Sequence, residues 1–449
     1  MSRTPPHHGR DDESDWSAEA PTVLKRSAVH KVGRRVEEVP VPRLTLVVRT
    51  AAGDLRVEHE GASCRVGSHA SNDVVIKDRT VSRFHCRLVH DGVAWHVSDL
   101  GSSNGTWLDG VKVRDAELPA KGTLALGDAT VVVRVEASGS SLLPSAGSYG
   151  AIVGASLAMQ RLYALLERVV DSDASVLLVG ERGTGKELIA GEIVQRGARA
   201  QAPLVVVDCS LPAARDLEAE LFGDADRAGA FELASGGTLV LDEIGATPLE
   251  LQPRLLRALE AREVRRAGEA HARPVDVRVI AATRRDLERD VNQGAFREDL
   301  YLRVAVVQLS VPPLRERRGD VPVLVRAFLE ALGKADLEAA LFPPPTMAEL
   351  AAHDWPGNVR ELRSHVERCV VLRERSAPRR ASTPDAQALD AAPLLPFRLA
   401  KEGAIEDFER AYLTTLMARA AGNVSRAARQ AGMDRMHLHH LLQKHGLKA

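Results

Sequence analysis

The feature that most constrains this chain is a glycine-rich segment at residues 180–187, with the sequence Gly-Glu-Arg-Gly-Thr-Gly-Lys-Glu. An apolar run of β type precedes it at 175–179, and a run with helical spacing follows at 188–194. A strand, a Gly-rich turn and a helix in this order are the context of a P-loop, whose backbone N–H groups and helix N-terminus bind phosphate. The predicted nucleotide-binding residues of this segment are Gly180, Gly183, Thr184, Gly185, Lys186 and Glu187.

Within that segment, Lys186 is expected to reach the β- and γ-phosphates of ATP. The Ser or Thr that usually follows the lysine and binds Mg²⁺ is replaced here by Glu187, so the strict pattern is not met. A glycine-rich turn without a ligand is the alternative interpretation. A second half of a nucleotide site further along the chain favours the P-loop.

That second half is at residues 236–243, where an apolar run ends in two carboxylates, Asp242 and Glu243. Asp242 is expected to hold Mg²⁺, directly or through water, and Glu243 to polarise the attacking water. A buried strand with a solvated acidic end would have the same pattern. In combination with the P-loop, the catalytic interpretation is favoured, with ATP and Mg²⁺ as cofactors.

Length and composition restrict the class of protein. A chain of 449 residues is too long for one core, and 45% hydrophobic with 27% charged residues is an ordinary globular composition. The net charge of -1 means that any nucleic-acid binding must use a local basic patch. The four cysteines have no metal-ligand spacing. No apolar run is long enough to cross a bilayer and residues 1–15 are polar, so a cytoplasmic protein without a membrane partner is expected.

Residues 43–137 have the pattern of an all-β domain. Turn pairs such as Asp109-Gly110 separate short β-type runs, which lie at 44–48, 73–76, 95–97 and 130–133. The stretches on either side are rich in polar residues. We expect a disordered arm at 1–42 and a flexible linker at 138–148.

Three loop clusters of this domain stand out at 65–68, 81–85 and 101–106, with the sequences Arg-Val-Gly-Ser, Val-Ser-Arg-Phe-His and Gly-Ser-Ser-Asn-Gly-Thr. They resemble the forkhead-associated (FHA) domain, a β-sandwich whose loops bind phosphothreonine. The resemblance implies that a phosphothreonine protein is bound by Ser82, Arg83, Ser103 and Asn104. Arginine and hydroxyl donors suit a dianionic phosphate.

One position departs from the FHA pattern. Ser68 stands where the family usually has an arginine, and Arg65 and Arg83 are the candidates to replace it. A β-sandwich used only for protein contacts is the alternative.

Residues 149–317 alternate buried β-type runs with helical stretches, which predicts a doubly wound parallel sheet. Several segments resemble the AAA+ module of bacterial sigma-54-dependent transcription activators, the enhancer-binding proteins. That family also carries Glu at the position of Glu187. A small helical lid is expected at 318–375. The matching segments are 220–223, 231–238, 251–257, 296–303, 312–317 and 355–362.

The AAA+ resemblance implies roles for three arginines. Arg297 and Arg303 match the arginine fingers that reach the γ-phosphate of the neighbouring subunit, and Arg360 matches sensor 2 on the lid. A finger that acts in trans implies a homo-oligomeric ring, which is hexameric in this family. A surface salt bridge is the alternative for each arginine.

Three departures from the AAA+ pattern affect the expected activity. Only residues 224–230 stand where the family carries a protruding loop that contacts sigma-54. Asp208 replaces an Asn that holds the water-polarising Glu, and Arg284 replaces the Asn of sensor 1. With Asp208 beside Glu243, like charges would raise one pKa or drive the carboxylates apart. The chain is therefore expected to be an ATPase with slow or differently regulated hydrolysis, and sigma-54 RNA polymerase is a doubtful partner.

The end of the chain has the spacing of a helix-turn-helix. A Pro-rich linker is expected at 376–397, followed by a domain at 398–449 with an apolar helical face and a Gly422 turn. Residues 422–429 resemble the Fis-type domain of the same activators, which binds DNA and dimerises. Residues 398–449 contain nine Lys and Arg against five Asp and Glu, a local net charge of about +4. The predicted DNA-contacting residues are Ser425, Arg426, Arg435, His437, His439, His440 and Lys444.

The sequence thus predicts a multidomain protein with an all-β FHA sandwich, an α/β AAA+ P-loop domain with a helical lid, and an all-α helix-turn-helix. Its predicted function is an ATP-binding, DNA-binding transcriptional regulator that senses a phosphoprotein and acts at upstream promoter sites. Two alternatives remain open. One is a degenerate member that uses ATP as an assembly switch without contacting sigma-54, and the other is an FHA phosphopeptide adaptor.

Overall fold

The computed structural model describes residues 36–50, 53–90, 94–144, 147–211, 213–269 and 271–375, together with nine separate residues between 413 and 442. The chain divides into two units, Met1–Pro378 and Arg379–Ala449, which are described separately. None of the helices within the described ranges combines the length and the apolar character that crossing a membrane requires.

The first part of the larger unit is a β-sandwich. One sheet has the order β2-β1-β11-β10-β7-β8 and the other β4-β3-β5-β6-β9. Alternating side chains from both sheets, among them Leu46, Leu88 and Trp95, form one closed core. The strands are β1 (Val36–Thr50), β2 (Gly53–Glu60), β3 (Ser63–Gly67), β4 (Val74–Val75), β5 (Cys86–His90), β6 (Trp95–Asp99), β7 (Thr106–Leu108), β8 (Val111–Val113), β9 (Asp115–Glu117), β10 (Lys121–Leu126) and β11 (Ala129–Pro144).

The predicted turn at Asp109-Gly110 joins β7 to β8. Both residues have positive φ, 48° and 85°, which is the backbone of the tight hairpin turn that these residue types favour.

Two neighbouring strands inside the six-stranded sheet, β1 and β11, extend further than the sequence suggested. β1 and β11 pair antiparallel from Arg49 and Thr130 out to Val36 and Pro144, with a bulge between Val41 and Arg43. The predictions of a disordered arm and a flexible linker are therefore wrong for residues 36–42 and 138–144. Each segment obtains its backbone hydrogen bonds from the other, and local composition does not reveal a partner so distant in sequence. The remainder of the arm, residues 1–35, lies outside the described residues.

The α/β domain contains a parallel five-stranded sheet in the order β15-β16-β19-β14-β20. Helices pack on both of its faces through separate hydrophobic cores, which confirms the predicted α/β class. The strands and helices are β12 (Ser148–Tyr149), β13 (Ile152–Val153), α1 (Leu157–Val170), β14 (Val176–Val179), α2 (Lys186–Arg196), β15 (Leu204–Asp208), α3 (Ala214–Phe222), α4 (Ala230–Leu233), β16 (Thr238–Asp242), α5 (Gln252–Ala261), β17 (Glu263–Val264), β18 (Arg273–Pro274), β19 (Arg278–Thr283), α6 (Leu287–Asn292), α7 (Glu298–Val304) and β20 (Val307–Ser310).

A small helical domain follows. It contains α8 (Val321–Ala331), α9 (Glu338–Leu341), α10 (Pro344–Ala352) and α11 (Asn358–Leu372), with short 3-10 turns at Leu314–Glu316, Arg318–Asp320 and Ala335–Leu337. Trp355 is buried in its core and donates its indole N–H to the carbonyl oxygen of Leu350 at 2.7 Å. Residue 320 links this domain to the start of α1, because buried Asp320 accepts hydrogen bonds from the N–H groups of Ala155 and Ser156.

The described residues of the second unit are all helical. Their apolar members form one cluster, which consists of Leu413, Leu416, Met417, Val424, Ala427, Ala428, Leu438 and Leu442. This cluster agrees with the apolar helical face predicted within 398–449. His439 is exposed. The other predicted DNA-contacting residues, Ser425, Arg426, Arg435, His437, His440 and Lys444, lie outside the described residues, as does the predicted linker at 376–397.

Candidate functional site

The glycine-rich segment forms a tight loop between β14 and α2. Gly183 and Gly185 adopt φ of 79° and 104°, a left-handed conformation that strains other residues. A Cβ atom at Gly183 would lie 2.3 Å from the carbonyl oxygen of Gly357, so a larger residue would collide with the helical lid. At the start of the loop, Gly180 donates its N–H to the carbonyl oxygen of Thr283 at 3.1 Å. Both the sheet and the lid thus fix the loop in place.

Lys186 lies at the N-terminus of α2 and is only 7% exposed. Its ammonium donates to the carbonyl oxygens of Gly180 and Glu181 at 2.8 and 3.1 Å. Burial lowers the pKa of Lys186, and the carboxylates of Glu243 and Asp242 oppose that shift. The structure therefore brings the predicted phosphate-binding lysine and the predicted acidic pair into one electrostatic site.

The acidic pair follows β16. Asp242 is half-buried and accepts a hydrogen bond from the N–H of Glu243 at 3.0 Å. Burial raises the pKa of Asp242, with a further contribution from the charge of Glu243. Glu243 has a left-handed backbone, φ 50°, which costs a non-glycine residue about 1–2 kcal/mol. Such strain is concentrated at functional sites, where it orients a side chain.

The two unusual residues near this pair take different partners. Arg284 donates its backbone N–H to Oε2 of Glu243 at 3.3 Å, and its guanidinium lies 3.9 Å from the same oxygen. Asp208 is exposed, and its Oδ1 accepts hydrogen bonds from the N–H and the hydroxyl of Ser210 at 2.8 and 2.7 Å. Of these two residues, it is thus Arg284 and not Asp208 that contacts the carboxylate of Glu243.

The lid contacts the P-loop through side chains that lie in family-like segments of the sequence but to which the sequence analysis assigned no role. Asn358 is fully buried, and its amide donates to Oε2 of Glu181 at 3.0 Å and to the carbonyl oxygen of Arg182 at 3.1 Å. The oxygen of the same amide accepts the N–H of Leu314 at 2.8 Å. Asn358 thereby joins the P-loop to the lid and to the segment at Leu314 that precedes α8. In the sequence, the one indication of a role for Asn358 was its position in the family-like segment Trp-Pro-Gly-Asn-Val-Arg.

Two arginines complete this lid contact. Arg360, the predicted sensor 2, is exposed, and its Nη2 lies 3.2 Å from Oε1 of Glu187. Arg317, to which the sequence assigned no role, is buried and donates to the carbonyl oxygen of Thr184 at 3.0 Å. The lid thus presents one exposed cation to the P-loop and uses a buried one to hold it.

The predicted arginine fingers lie at the two ends of α7. Arg297 precedes the helix, is 43% exposed and pairs with Asp299 at 2.6 Å. Arg303 is half-buried and donates to the carbonyl oxygen of Leu259 at 2.8 Å, at the end of α5. Arg297 is therefore the more exposed of the two predicted arginine fingers.

The loop at 224–230, which replaces the family's longer loop, is a closed turn. Asp224 donates its N–H to the carbonyl oxygen of Arg227 at 3.0 Å. Oδ1 of Asp224 accepts the N–H groups of Asp226 and Arg227, at 3.0 and 2.8 Å. Gly223 and Ala228 form a bridge across the base of the turn. The segment passes directly from α3 to α4.

The predicted phosphopeptide residues lie on two neighbouring loops of the sandwich. The N–H of Ser103 donates to Oγ of Ser82 at 3.0 Å, and Nδ2 of Asn104 donates to the carbonyl oxygen of Thr80 at 2.7 Å. Ser103 and Asn104 are exposed, and half of the Arg83 side chain is exposed. The structure thus brings all four predicted residues to one loop face.

Two further residues support this face. His85 is buried, and its ring lies 3.1 Å both from the N–H of Ser82 and from the carbonyl oxygen of Gly105. Burial lowers the pKa of His85. A Cβ atom at Gly67 would lie 2.2 Å from the carbonyl oxygen of Arg83, which explains the glycine. Of the two arginines considered as substitutes at position 68, Arg65 contacts Asp73 and Glu288, and Arg83 contacts Glu298.

Comparison with known proteins assigns four segments of the chain. Residues 152–310 match the sigma-54 interaction domain, 64–127 the FHA domain, 315–388 the AAA+ ATPase lid domain and 404–445 the Fis family of bacterial regulatory proteins. The transcriptional regulatory protein ZraR of Escherichia coli K12 is 43% identical over 310 residues, which cover 65% of this chain and 68% of ZraR. The chain belongs to the family of sigma-54-dependent transcriptional regulators.

Other members of this family are also similar. The anaerobic nitric oxide reductase transcription regulator NorR of Aeromonas hydrophila is 38% identical over 383 residues, which cover 77% of this chain and 74% of NorR. A crystal structure of NtrX from Brucella abortus in complex with ATP is 38% identical and covers 67% of this chain and 71% of NtrX, with a TM-score of 0.49. The four family models show that this regulator combines FHA, AAA+ and Fis-type helix-turn-helix domains, which confirms the predicted multidomain fold class.

Proposed function

We propose that this chain is an ATP-binding, DNA-binding transcriptional regulator, in the cytoplasm, whose AAA+ domain hydrolyses ATP slowly. The observation that carries the proposal is the convergence of Lys186, Asp242, Glu243 and Arg360 on one glycine-rich loop. In this proposal Lys186 and Arg360 supply positive charge for the phosphates, and Glu243 polarises a water molecule. Arg284 beside Glu243 is the reason to expect slow hydrolysis, because a nearby cation makes a carboxylate a weaker base.

The residues present fit a nucleotide and Mg²⁺. Among the residues that the structure describes, the buried ammonium of Lys186 donates to two main-chain carbonyl oxygens, and a phosphate oxygen is a stronger, charge-assisted partner. Gly183 and Gly185 allow the backbone to curve around that anion. Asp242, half-buried and followed by Glu243, would hold Mg²⁺, which neutralises charge on the phosphates when it is bound.

The other domains supply the input and the output in this proposal. The loop face with Ser82, Arg83, Ser103 and Asn104 binds a phosphothreonine protein, and residues 398–449 bind upstream promoter DNA as a dimer. Arg297 and Arg303 act on the nucleotide of a neighbouring subunit in a ring. The local charge of about +4 in residues 398–449 supports DNA binding, because phosphate contacts supply most non-specific affinity.

A degenerate regulator, in which ATP serves mainly as an assembly switch, is the second candidate. The closed turn at 224–227 favours it, because a segment whose N–H groups are bonded within the turn has no length left to extend from a ring. In this case the protein regulates transcription by occupying DNA and does not remodel sigma-54 polymerase.

The primary experiment measures ATP binding and phosphate release by the full chain, Lys186→Ala and a control, Lys334→Ala, which replaces an exposed lysine of the lid. Loss of both activities in Lys186→Ala alone is expected. Equal activity in the three proteins would refute the nucleotide site. The second candidate is separated by pull-down of sigma-54 with ADP–aluminium fluoride, with a family member of full loop length as positive control.

A further inference from the structure

The predicted phosphopeptide face of the sandwich is in contact with the AAA+ domain of the same chain. Phe84, between Arg83 and His85, is fully buried and belongs to the hydrophobic core of the α/β domain. Its ring packs edge-on against Tyr301 of α7, with 5.3 Å between the centroids. Asn292 of α6 donates to the carbonyl oxygens of Phe84 and Leu100, the latter at 2.9 Å. The contact thus has an apolar centre and satisfied backbone groups.

Buried charge surrounds this apolar centre. Glu288 of α6 is 1% exposed and accepts hydrogen bonds from Arg87 at 2.6 Å and from the hydroxyl of Tyr301 at 2.7 Å. Arg65 approaches the same carboxylate at 3.5 Å, and Arg87 also contacts Asp286 at 3.2 Å. A carboxylate buried this deeply needs such partners, because an unpaired buried charge is very unfavourable. Arg65 and Arg87 of the sandwich are therefore needed to compensate the buried charge of Glu288 where the two domains meet.

At the edge of the contact, Arg83 donates to Oε2 of Glu298, the first residue of α7. The ring of His69 lies 3.5 Å from the other oxygen of the same carboxylate. Arg83 is the cation of the loop face to which phosphate recognition is assigned. In this structure its partner is a carboxylate of the AAA+ domain.

We propose that α6 and α7 of the AAA+ domain are an internal ligand of the FHA loop face, and that a phosphothreonine partner competes with Glu298 for Arg83. The proposal rests on the proposed phosphothreonine recognition. A phosphate dianion has more charge and more acceptor oxygens than a carboxylate, so it can replace Glu298 on the guanidinium. Ser103 and Asn104 remain exposed, and the partner reaches the face from that side.

The position of the contact gives the competition a consequence. Arg297, the more exposed of the two predicted arginine fingers, directly precedes Glu298, and Arg303 lies on the same helix. A phosphothreonine partner that displaces α7 from the sandwich therefore changes the surroundings of the residues assigned to the subunit interface. Peptide binding and ring assembly are coupled through one seven-residue helix.

The test uses the full chain and four variants. Arg87→Ala removes the main partner of Glu288 but keeps the loop residues, and Glu298→Gln removes the internal competitor. Arg83→Ala removes the recognition cation. Arg56→Ala is the matched control, because this exposed arginine of the sandwich pairs only with Glu58 among the described residues. Binding of a fluorescent phosphothreonine peptide library and of its unphosphorylated form is measured by anisotropy. Hydrogen–deuterium exchange of α6 and α7 is measured in parallel.

The competition predicts that Arg87→Ala and Glu298→Gln bind the phosphorylated library about tenfold more tightly than wild type, because a larger fraction of molecules has a free face. Saturating phosphopeptide should also accelerate exchange in α6 and α7 of the wild type. Equal affinities in wild type, Arg87→Ala and Glu298→Gln, with unchanged exchange, would overturn the proposal.

Failure of the proposed phosphothreonine recognition has a different signature, in which neither the wild type nor any variant binds the phosphorylated library. The proposed competition with phosphothreonine is then overturned as well. The hydrogen–deuterium exchange rates of α6 and α7 then test whether these helices bind the FHA loop face. Faster exchange of α6 and α7 in Arg87→Ala than in Arg56→Ala would support the internal ligand, and equal exchange would refute it. Circular dichroism of each variant verifies that the sandwich is folded.

Discussion

Replacement of Glu288 by glutamine should weaken the contact between the sandwich and the AAA+ domain. The substitution keeps the shape of the side chain and removes a charge that is 1% exposed and bonded to Arg87 and Tyr301. Breaking a buried ion pair by removing one partner typically costs about 3–5 kcal/mol. Arg87 retains Asp286 at 3.2 Å and its side chain is 22% exposed, so a lower cost of about 2–3 kcal/mol is expected.

Differential scanning calorimetry of the full chain at neutral pH measures this effect. A loss of about 2–3 kcal/mol corresponds to a fall of about 4–12 °C in the midpoint of a domain of this size. The control is Glu260→Gln, which removes the charge of an exposed glutamate on α5. A midpoint for Glu288→Gln within about 1 °C of that control would refute the reasoning, because the buried pair would then contribute nothing to stability.

The same carboxylate predicts a pH dependence. Burial alone would raise the pKa of Glu288, but the charge and hydrogen bonds of Arg87, together with Tyr301 and Arg65, hold it below its usual value of 4.5. A depressed pKa in the folded state means that the ion pair contributes fully above the unfolded pKa and is lost as pH falls through the folded one. The difference in midpoint between wild type and Glu288→Gln should thus be constant from neutral pH to about pH 5 and decrease below about pH 4.5. An unchanged or larger difference in acid would contradict this assignment.

Two further predictions concern the nucleotide site. Asn358→Ala should destabilise the lid by about 3 kcal/mol, because it leaves the buried N–H of Leu314 without its acceptor and puts alanine at φ 54°. Urea unfolding measures this loss of stability, with Arg363→Ala, at an exposed position of the lid, as the control. Equal unfolding midpoints of the two variants would contradict the prediction. Arg284→Asn should raise the rate of phosphate release by about two- to tenfold, because it removes a cation 3.9 Å from Glu243; a rate equal to or below that of wild type would show that Arg284 does not restrain hydrolysis.

Much of the architecture can be predicted from the sequence because it is encoded by neighbouring residues. The glycines of the P-loop and the apolar strand before Asp242 are local patterns, and each dictates a strand, turn or helix with little help from the rest of the chain. The alternation of β-type runs and turn pairs such as Asp109-Gly110 specified the sandwich in the same way.

Local patterns did not predict where β1 and β11 end, nor which partners single polar residues contact. Residues 36–42 are extended because 138–144 pair with them, and composition alone suggested an unstructured arm. Asn358 was visible only as part of a family segment, whereas the structure places its amide between the lid and the P-loop. In both cases the deciding partner is distant in the chain, so no local pattern contains it.

By itself, the sequence determined which domains are present and which chemistry each carries, since phosphate-binding loops and acidic strand ends are properties of short segments. Only the tertiary structure decided that the recognition face of the sandwich rests on α6 and α7. That contact depends on Arg87 and Glu288, which are separated by 201 positions and resemble ordinary surface charges in the sequence. Their burial, which makes the pair strong, arises only when the two domains pack around Phe84 and Tyr301.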